Sequence, residues 1–302
     1  NSTLDVGRCL AALFASDLPL QLVVVDNHSE DDTLARVQRL CGARADARVV
    51  AAPSNLGFAK AVNLGISMTS GRYVAIVNPD CFVSRSALRE MVAVMDADPG
   101  IGLAGCLLLN EDGTEQAGCR RYLPTPWRAL MRVLHLHERF TGRRRFDSFL
   151  MSREPLPERP VAVEALSGAL LLARRAAIEE AGLLDEGYFM HCEDLDWCVR
   201  FRQADWKVMF IPGASAIHRK GASSRSRPIR VEFHKHKGMV RFYGKFFRRR
   251  YPGPLLWLVV FAVWLRFSAK ALLLLPSAAR AFVAKRRPRA PRPESDPEIK
   301  LS

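Results

Sequence analysis

The chain has 302 residues, 49% of them hydrophobic and 25% charged, a composition that excludes a disordered protein and allows one large domain or two modest ones. Its net charge of +14 is concentrated at one end, because residues 219–302 hold 21 of the 45 Lys and Arg residues but only four of the 31 acidic residues. A near-neutral body with a basic, apolar tail argues against a nucleic-acid-binding protein and favours contact with an anionic membrane surface.

Helices and strands are predicted to alternate through the first part of the chain. Residues 3–15 have the apolar spacing of an amphipathic helix, and LQLVVVD at 20–26 is typical of a strand that is buried on both faces. The same patterns predict helices that end near residues 40 and 70 and cover 84–96, and strands at 48–51, 73–78 and 103–109. This alternation predicts an α/β fold with an open, mostly parallel sheet and flanking helices, whose ligands lie beyond the carboxyl ends of the strands. Because a helical pattern begins directly after Asn1, we expect that a first strand is missing from the sequence.

The middle of the chain is predicted to leave this pattern and then return to it. Residues 119–160 are rich in Arg and Pro, which favours a partly mobile excursion over the face that carries the site. Ordered structure is expected again over 161–174, followed by a helix over 193–204, a strand at 206–212 and a short strand that ends at 218. The seven scattered cysteines contain no C-x-x-C pair, so we expect no disulfide scaffold.

The tail contains two apolar runs, PLLWLVVFAVWL at 254–265 and ALLLLP at 271–276, which are separated by Arg266 and Lys270. Neither run has the roughly 20 residues that a helix needs to span a bilayer. We therefore predict an in-plane or shallow re-entrant helical hairpin, while a spanning helix and a soluble helix packed on the body stay open. The predicted division of the chain is a folded domain over 1–240 that lacks its first strand, a membrane-associated helical tail over 241–287 and a disordered end over 288–302.

Three carboxylates lie close together in the apolar segment MHCEDLDWCVRF at 190–201. If the segment is helical, Glu193 and Asp194 lie in its first turn, where the helix dipole stabilises negative charge. Asp196 can then pair with Arg200, four residues later. For Glu193 and Asp194 a second interpretation stays open, because a carboxyl beside another carboxyl at the wall of a pocket keeps a raised proton affinity and can act as a general base.

Other candidate residues follow predicted strands. Asp80 closes Asn78–Pro79–Asp80, which is either a plain turn or, at the carboxyl edge of a sheet, the position of a ligand for Mg²⁺ or Mn²⁺. His218 ends the last strand and is either a hydrogen-bonded polar residue or a second metal ligand. Asp26 ends the first predicted strand, where it is either a helix N-cap or a nucleotide contact.

Six segments of the chain form a recognisable series. They are LVVVDNHSEDDT (22–33), NLGFAKAVNLGI (55–66), YVAIVNPDCFV (73–83), LSGALLLARR (166–175), AGLLDEGYFMHCEDLDWCVRFRQADWKV (181–208) and IPGASAIHRKGASS (211–224). In this order they resemble the inverting GT-A glycosyltransferases of family 2, in particular the rhamnosyltransferase-like branch that acts on lipid-linked or polysaccharide acceptors. The resemblance covers about residues 1–240, and no single segment is diagnostic.

The resemblance implies how the nucleotide-sugar donor is bound. Asp26 would contact the nucleotide base, and Asn55 and Asn63 would lie near the nucleotide or its phosphates. Asn78 and Asp80 would form the donor and metal motif, here N-P-D rather than D-x-D, with Asp80 as a ligand of Mg²⁺ or Mn²⁺.

The resemblance also implies the catalytic residues. Asp194 would be the general base, Glu193 would orient the acceptor or tune that base, and His218 would be an additional metal ligand. Asp205 stands where relatives usually have Gly, which puts the local turn in doubt. The residues expected beside the donor sugar and the acceptor are Ser167, Gly168 and Phe189.

The implied reaction is the transfer of a sugar from a nucleotide-diphosphate donor to a lipid-linked or polysaccharide acceptor in cell-envelope glycan synthesis. Rhamnose from dTDP-rhamnose is the first expectation, with UDP-galactose and UDP-N-acetylglucosamine as alternatives. The expected location is the cytoplasmic face of the bacterial inner membrane, as a peripheral or tail-anchored protein that contacts anionic lipid through residues 241–292 and binds no nucleic acid. A non-catalytic protein that binds glycans, lipid carriers or nucleic acid is the alternative class, and a homo-oligomer is left open.

Overall fold

The structure is a computed structural model that describes residues 2–133, 149–219 and 228–286. Within these ranges the helices are α1 (Thr3–Phe14), α2 (Thr33–Cys41), α3 (Phe58–Ser67), α4 (Ala87–Ala97), α5 (Pro126–Val133), α6 (Arg175–Ala181), α7 (Glu193–Gln203), α8 (Pro228–Phe246) and α9 (Gly253–Arg286). The strands are β1 (Leu22–Asp26), β2 (Ala47–Ala51), β3 (Tyr73–Val77), β4 (Cys81–Val83), β5 (Ile101–Leu109), β6 (Arg120–Arg121), β7 (Val161–Ala162), β8 (Ala165–Leu166), β9 (Leu170–Arg174) and β10 (Lys207–His218). The centre of the predicted mobile excursion, 134–148, and the predicted disordered end, 288–302, lie outside the described residues.

The helices form where apolar residues recur with the helical period. In α1 the buried side chains of Val6, Cys9, Leu10 and Leu13 follow the i, i+3, i+4, i+7 spacing of one helix face. α7 differs because it is buried on most sides, and its largest fully buried side chain is Trp197. All seven cysteines are free and buried, which confirms the absence of a disulfide scaffold.

The main sheet is mixed. Its strands run in the order β3-β9-β5-β10-β4, and β7 pairs with β10 beside that path. β5 and β10 pair in parallel, whereas β9 pairs antiparallel with both β3 and β5, and β4 pairs antiparallel with β10. The α/β class with flanking helices is confirmed, but the prediction of a mostly parallel sheet is wrong. β9 follows a long excursion rather than a helical crossover, so the chain can re-enter the sheet in the opposite direction.

Strands β1 and β2 form a separate parallel pair. β1 and β3 both line one cavity, and their carboxyl ends carry Asp26 and Asn78 respectively. The cavity therefore meets the strand ends at which the sequence predicts ligands. The first strand expected before Asn1 stays a prediction.

Strand β10 is continuous, whereas the sequence predicts two strands, one at 206–212 and one that ends at 218. Its pairing with β5 shifts register between Ile211 and Ser215, which lets a Pro-Gly pair lie within the strand without ending it. β10 follows a turn in which Asp205 has a φ of 60°. Asp tolerates this left-handed region better than most residues, so the departure from Gly at this position is accommodated.

Helices α8 and α9 pack against each other at the end of the described chain. α9 is one continuous helix, so the prediction of a hairpin within the two apolar runs is wrong. Its segment Gly253–Leu275 is long and apolar enough to cross a membrane by length and composition, with a mean hydropathy of 2.0. Lys270, one of the two charges between the runs, lies 3.3 Å from Glu232 of α8 and therefore faces the protein. The opposite face of α9 exposes Trp257, Leu258, Phe261, Leu265 and Leu272.

Candidate active site

The acidic pair Glu193–Asp194 begins α7 at the wall of a deep cavity. The two residues before it, His191 and Cys192, have φ angles of 65° and 73°. Consecutive left-handed residues other than Gly are strained, and such strain is concentrated at functional sites. Helix α8 packs directly on this turn, because a Cβ added at Gly238 would lie 2.8 Å from the carbonyl oxygen of His191.

Asp194 is held in place by a guanidinium and a backbone amide. Its Oδ2 accepts hydrogen bonds from Nη2 of Arg121 at 2.5 Å and from the backbone N–H of Gly168 at 3.2 Å. The other Nη2 contact of Arg121 is the carbonyl oxygen of Leu166, so β8 fixes the guanidinium. Arg121 could not be identified from the sequence, because an Arg in an Arg-rich stretch gives no signal of its partner.

Glu193 lies in a different environment from Asp194. It is 7% exposed, and its Oε2 has no hydrogen-bond partner within the described ranges. Burial, reinforced by the charge of Asp194, raises the pKa of Glu193 to about 8. The raised proton affinity that the sequence suggests for this pair is therefore found at Glu193.

The buried proton of Glu193 predicts a pH dependence of stability. The pKa of a free Glu is about 4.5, so between about pH 4.5 and 8 the folded chain binds a proton that the unfolded chain lacks. The free energy of unfolding should therefore fall as pH rises through this window, and Glu193→Gln should reduce the fall. Urea denaturation of both proteins at pH 5, 7 and 8.5 measures this, with the exposed Glu179→Gln as the control. Parallel pH curves for wild type and Glu193→Gln would contradict the prediction.

Asp196 has a structural position. Its side chain is fully buried. Its carboxylate accepts hydrogen bonds from Nε of Arg200 at 2.6 Å, from Nζ of Lys245 at 2.7 Å and from the hydroxyl of Tyr188 at 3.1 Å. The predicted pairing of Asp196 with Arg200 is confirmed. The contact with Lys245 also ties α7 to α8.

Asp80 and His218 meet beside the end of β3. Both are buried, and Nε2 of His218 lies 3.3 Å from Oδ1 of Asp80. Gln116 orients the imidazole: its Nε2 donates to the carbonyl of His218 at 2.9 Å, so its Oε1 accepts from Nδ1 of His218 at 2.6 Å. Nε2 is thereby left facing the Asp80 carboxylate, where either a proton on the ring or a metal cation can link the two groups.

A divalent cation fits the Asp80–His218 pair. Two ligand atoms that bind one ion at about 2.1 Å and at right angles lie about 3 Å apart, close to the observed separation. Oδ1 of Asn78, two residues before Asp80, is buried and has no hydrogen-bond partner in the described part of the chain. No group of three or more His, Cys, Asp or Glu residues that could hold a metal occurs within the described ranges. The remaining ligands would come from water and substrate oxygens, which is usual for Mg²⁺.

Two of the predicted donor-binding residues lie at the ends of neighbouring strands, Asp26 at the end of β1 and Asn55 in the loop after β2. Asp26 is buried, and its Oδ2 accepts the backbone N–H of Ser29 at 3.0 Å. Oδ1 of Asn55 accepts the N–H of Gly57 at 3.1 Å and Nδ2 of Asn27 at 3.3 Å. These contacts fix the loop at the cavity edge, and the predicted nucleotide contacts stay predictions.

The predicted sugar pocket surrounds the acidic pair. Gly168 approaches Asp194 so closely that an added Cβ would lie 3.2 Å from the Cβ of that residue, and Ser167 precedes it in the cavity wall. Phe189 stacks on His234 of α8, with ring centroids 4.3 Å apart. The pocket is thus built jointly by the loop before β9, the loop before α7 and helix α8.

Asn63 is not brought to the other candidate residues. Its Nδ2 donates to the carbonyl of Leu184 at 2.9 Å and to Oε1 of Glu186 at 3.1 Å, and its Oδ1 accepts the N–H of Leu184 at 3.0 Å. All of its polar atoms are therefore used to join α3 to the loop that leads towards α7. The placement gives no support to the predicted role beside the nucleotide.

One cavity of about 1490 Å³ joins these groups. Asp80, His218 and Asp194 all line it. The other predicted residues in its wall are Asp26, Asn55, Asn78, Ser167, Gly168, Phe189 and Glu193.

Comparison with known proteins gives concordant matches. The family model described as "Glycosyl transferase family 2" matches residues 1–153. An N-acetylglucosaminyl-diphospho-decaprenol L-rhamnosyltransferase of Mycobacterium tuberculosis is 28% identical over 263 residues, which cover 83% of this chain and 83% of the relative.

Two solved structures share the fold. A mannosyltransferase of Pyrobaculum calidifontis in complex with GDP-Man and Mn²⁺ gives a TM-score of 0.56 at 19% identity, over 94% of this chain and 72% of that protein. GalNAc-T7 with UDP, GalNAc and Mn²⁺ gives a TM-score of 0.55 at 16% identity, over 80% of this chain and 45% of that protein. At such identities the likeness concerns the fold alone.

Proposed function

Because the chain belongs to glycosyltransferase family 2 and has the GT-A fold, we propose that it transfers a sugar with inversion from a nucleotide-diphosphate donor to a lipid-linked acceptor. The observation that carries this proposal is that the Asp80–His218 pair and the Asp194 carboxylate line the same cavity. The similarity to a rhamnosyltransferase supports dTDP-rhamnose as the donor, ahead of UDP-galactose and UDP-N-acetylglucosamine.

The proposed donor site is the end of the cavity that holds Asp80 and His218. A divalent cation bound there would neutralise the charge that develops on the leaving diphosphate. Asp80 would hold the cation through Oδ1 and His218 through Nε2, and Gln116 would keep the imidazole in the tautomer that leaves Nε2 free to bind. Mn²⁺ in two structures of the same fold supports a divalent ion of this kind.

The proposed catalytic base is Asp194. The acceptor hydroxyl would attack the anomeric carbon from the face opposite the diphosphate, through an oxocarbenium-like transition state, and Asp194 would take its proton. Arg121 and the N–H of Gly168 would hold the carboxylate in position through Oδ2. Glu193, protonated at neutral pH, would be able to donate a hydrogen bond to the acceptor.

The proposed location is the cytoplasmic face of a bacterial inner membrane. The exposed apolar face of α9 and the basic residues of the region 241–292 support contact with an anionic lipid surface. A lipid-linked acceptor would be met at this surface.

A thermal-shift assay tests donor binding. A donor present at 100 times its Kd should stabilise the protein by about 2.7 kcal/mol, so dTDP-rhamnose with Mn²⁺ or Mg²⁺ should raise Tm. EDTA or Asp80→Asn should remove most of the shift, whereas Asp194→Asn should keep it. The absence of a shift with every nucleotide sugar, or a shift that is insensitive to EDTA and to Asp80→Asn, would refute this part of the proposal.

A further inference from the structure

The active-site cavity continues into a crevice between α8 and α9. From α8 it is lined by Lys235, Met239 and Tyr243, which follow one another at i, i+4 and i+8 and so share one helix face. The lining residues of α9 are Leu255, Leu258, Val259, Ala262, Val263 and Arg266. The crevice is therefore apolar along most of its length and has cations at one end.

The cationic end carries more positive than negative charge. Glu232 lies 3.6 Å from Nζ of Lys235 and 3.3 Å from Nζ of Lys270. Arg266 also lines the cavity, and no carboxylate in the described part of the chain pairs with it. Burial lowers the pKa of Lys235, and the charges of Lys270 and Arg266 add to this effect. One carboxylate facing three cations leaves a site that favours an anion.

The cationic end adjoins the acidic pair. Gly238, which packs against the carbonyl of His191, lies one helical turn after Lys235, or about 5 Å along the axis of α8. His234, the neighbour of Lys235, stacks on Phe189 in the loop that leads into α7. A ligand bound at Asp194 would therefore have both the cations and the apolar wall of the crevice close to it.

We propose that this crevice binds the polyprenyl diphosphate of the acceptor, with the diphosphate at Lys235 and Arg266 and the first isoprenoid units along Val259 and Val263. The inference rests on the proposed function, because it takes the acceptor to be lipid-linked. Such an acceptor joins a sugar to a diphosphate and a hydrocarbon chain, and the cavity presents carboxylates, cations and an apolar wall that could receive these three parts. The outer face of α9 is apolar and exposed, so the remainder of the chain can pass into the bilayer.

Binding of farnesyl diphosphate to the full chain in detergent tests the site without requiring sugar transfer. EDTA is present throughout, so that no metal can recruit the diphosphate to Asp80 and His218. We expect Lys235→Ala/Arg266→Ala to weaken binding by at least about tenfold. Lys237→Ala, which removes an exposed cation from the same helix, is the matched control and should change Kd by less than about twofold. Farnesol and inorganic pyrophosphate should each bind more weakly than farnesyl diphosphate, and farnesol should be insensitive to the double substitution.

Three results would overturn the assignment: equal effects of the double substitution and of Lys237→Ala, equal affinity for farnesol and farnesyl diphosphate, or displacement of farnesyl diphosphate by an equal concentration of phosphatidylglycerol. The last would identify a general headgroup site. The two proposals can be refuted separately. Binding of farnesyl diphosphate without any donor-dependent thermal shift would support the crevice assignment and contradict the proposed reaction.

Discussion

Replacing Asp194 by Asn should lower kcat for sugar transfer by about 10²–10⁴-fold, the contribution usual for a general base. Asn has the same size and can still accept the N–H of Gly168, but it cannot take a proton from the acceptor and loses the ion pair with Arg121. Because Asp194 is not one of the proposed cation ligands, the donor-dependent thermal shift should persist. Steady-state assays with a saturating lipid-linked acceptor measure the change.

The control for this prediction is Asp98→Asn, at an exposed carboxylate that pairs with Lys207 away from the cavity. It should leave kcat unchanged. An Asp194→Asn enzyme that keeps more than about a tenth of the wild-type kcat would show that another group accepts the proton.

Replacing Asp196 by Ala should instead destabilise the fold, by about 3–5 kcal/mol. The substitution removes the carboxylate shared by Arg200, Lys245 and Tyr188 and leaves these polar groups partly buried without it. For a chain of this size such a loss corresponds to a fall in Tm of about 10 °C. Thermal and chemical denaturation measure the effect.

Asp46→Ala is the comparison for Asp196→Ala, because it removes an equal charge from an exposed pair with Arg44. It should leave Tm unchanged, since exposed ion pairs contribute little. Similar Tm values for the two variants would show that the buried network does not hold α7 to α8. Asp194 and Asp196 are only two positions apart, but substitution of Asp194 should lower the rate of transfer, whereas substitution of Asp196 should lower the stability of the fold.

Much of the local structure could be predicted, because helical and strand periods are local properties of the sequence. The bounds of α1 follow from apolar spacing, and the pairing of Asp196 with Arg200 follows from the i,i+4 geometry of a helix. The direction of β9 could not be predicted, because nothing within its five residues specifies which way the chain returns after a long excursion. The continuity of β10 could not be predicted either, because the Pro and Gly inside it are a local signal that ordinarily indicates a turn.

The candidate site was predictable where a residue lies at a strand end or a helix start. Asp80, His218 and Asp194 meet that condition and line one cavity. Arg121 and Gln116 do not, because each acts through a contact that is distant in sequence and depends on the tertiary fold. Asn63 shows the limit of inference from resemblance: its position matches a motif, but in this chain its amide joins α3 to the backbone of Leu184.

The close approach of Gly238 to the left-handed turn at His191 has a practical consequence. A truncation before Pro228, made to obtain a soluble protein, would remove the support behind the two acids as well as the proposed membrane contact. Preparations for crystallography or kinetics should therefore retain both tail helices and rely on detergent or nanodiscs, and inactivity of a shortened protein would say little about the chemistry of the intact enzyme.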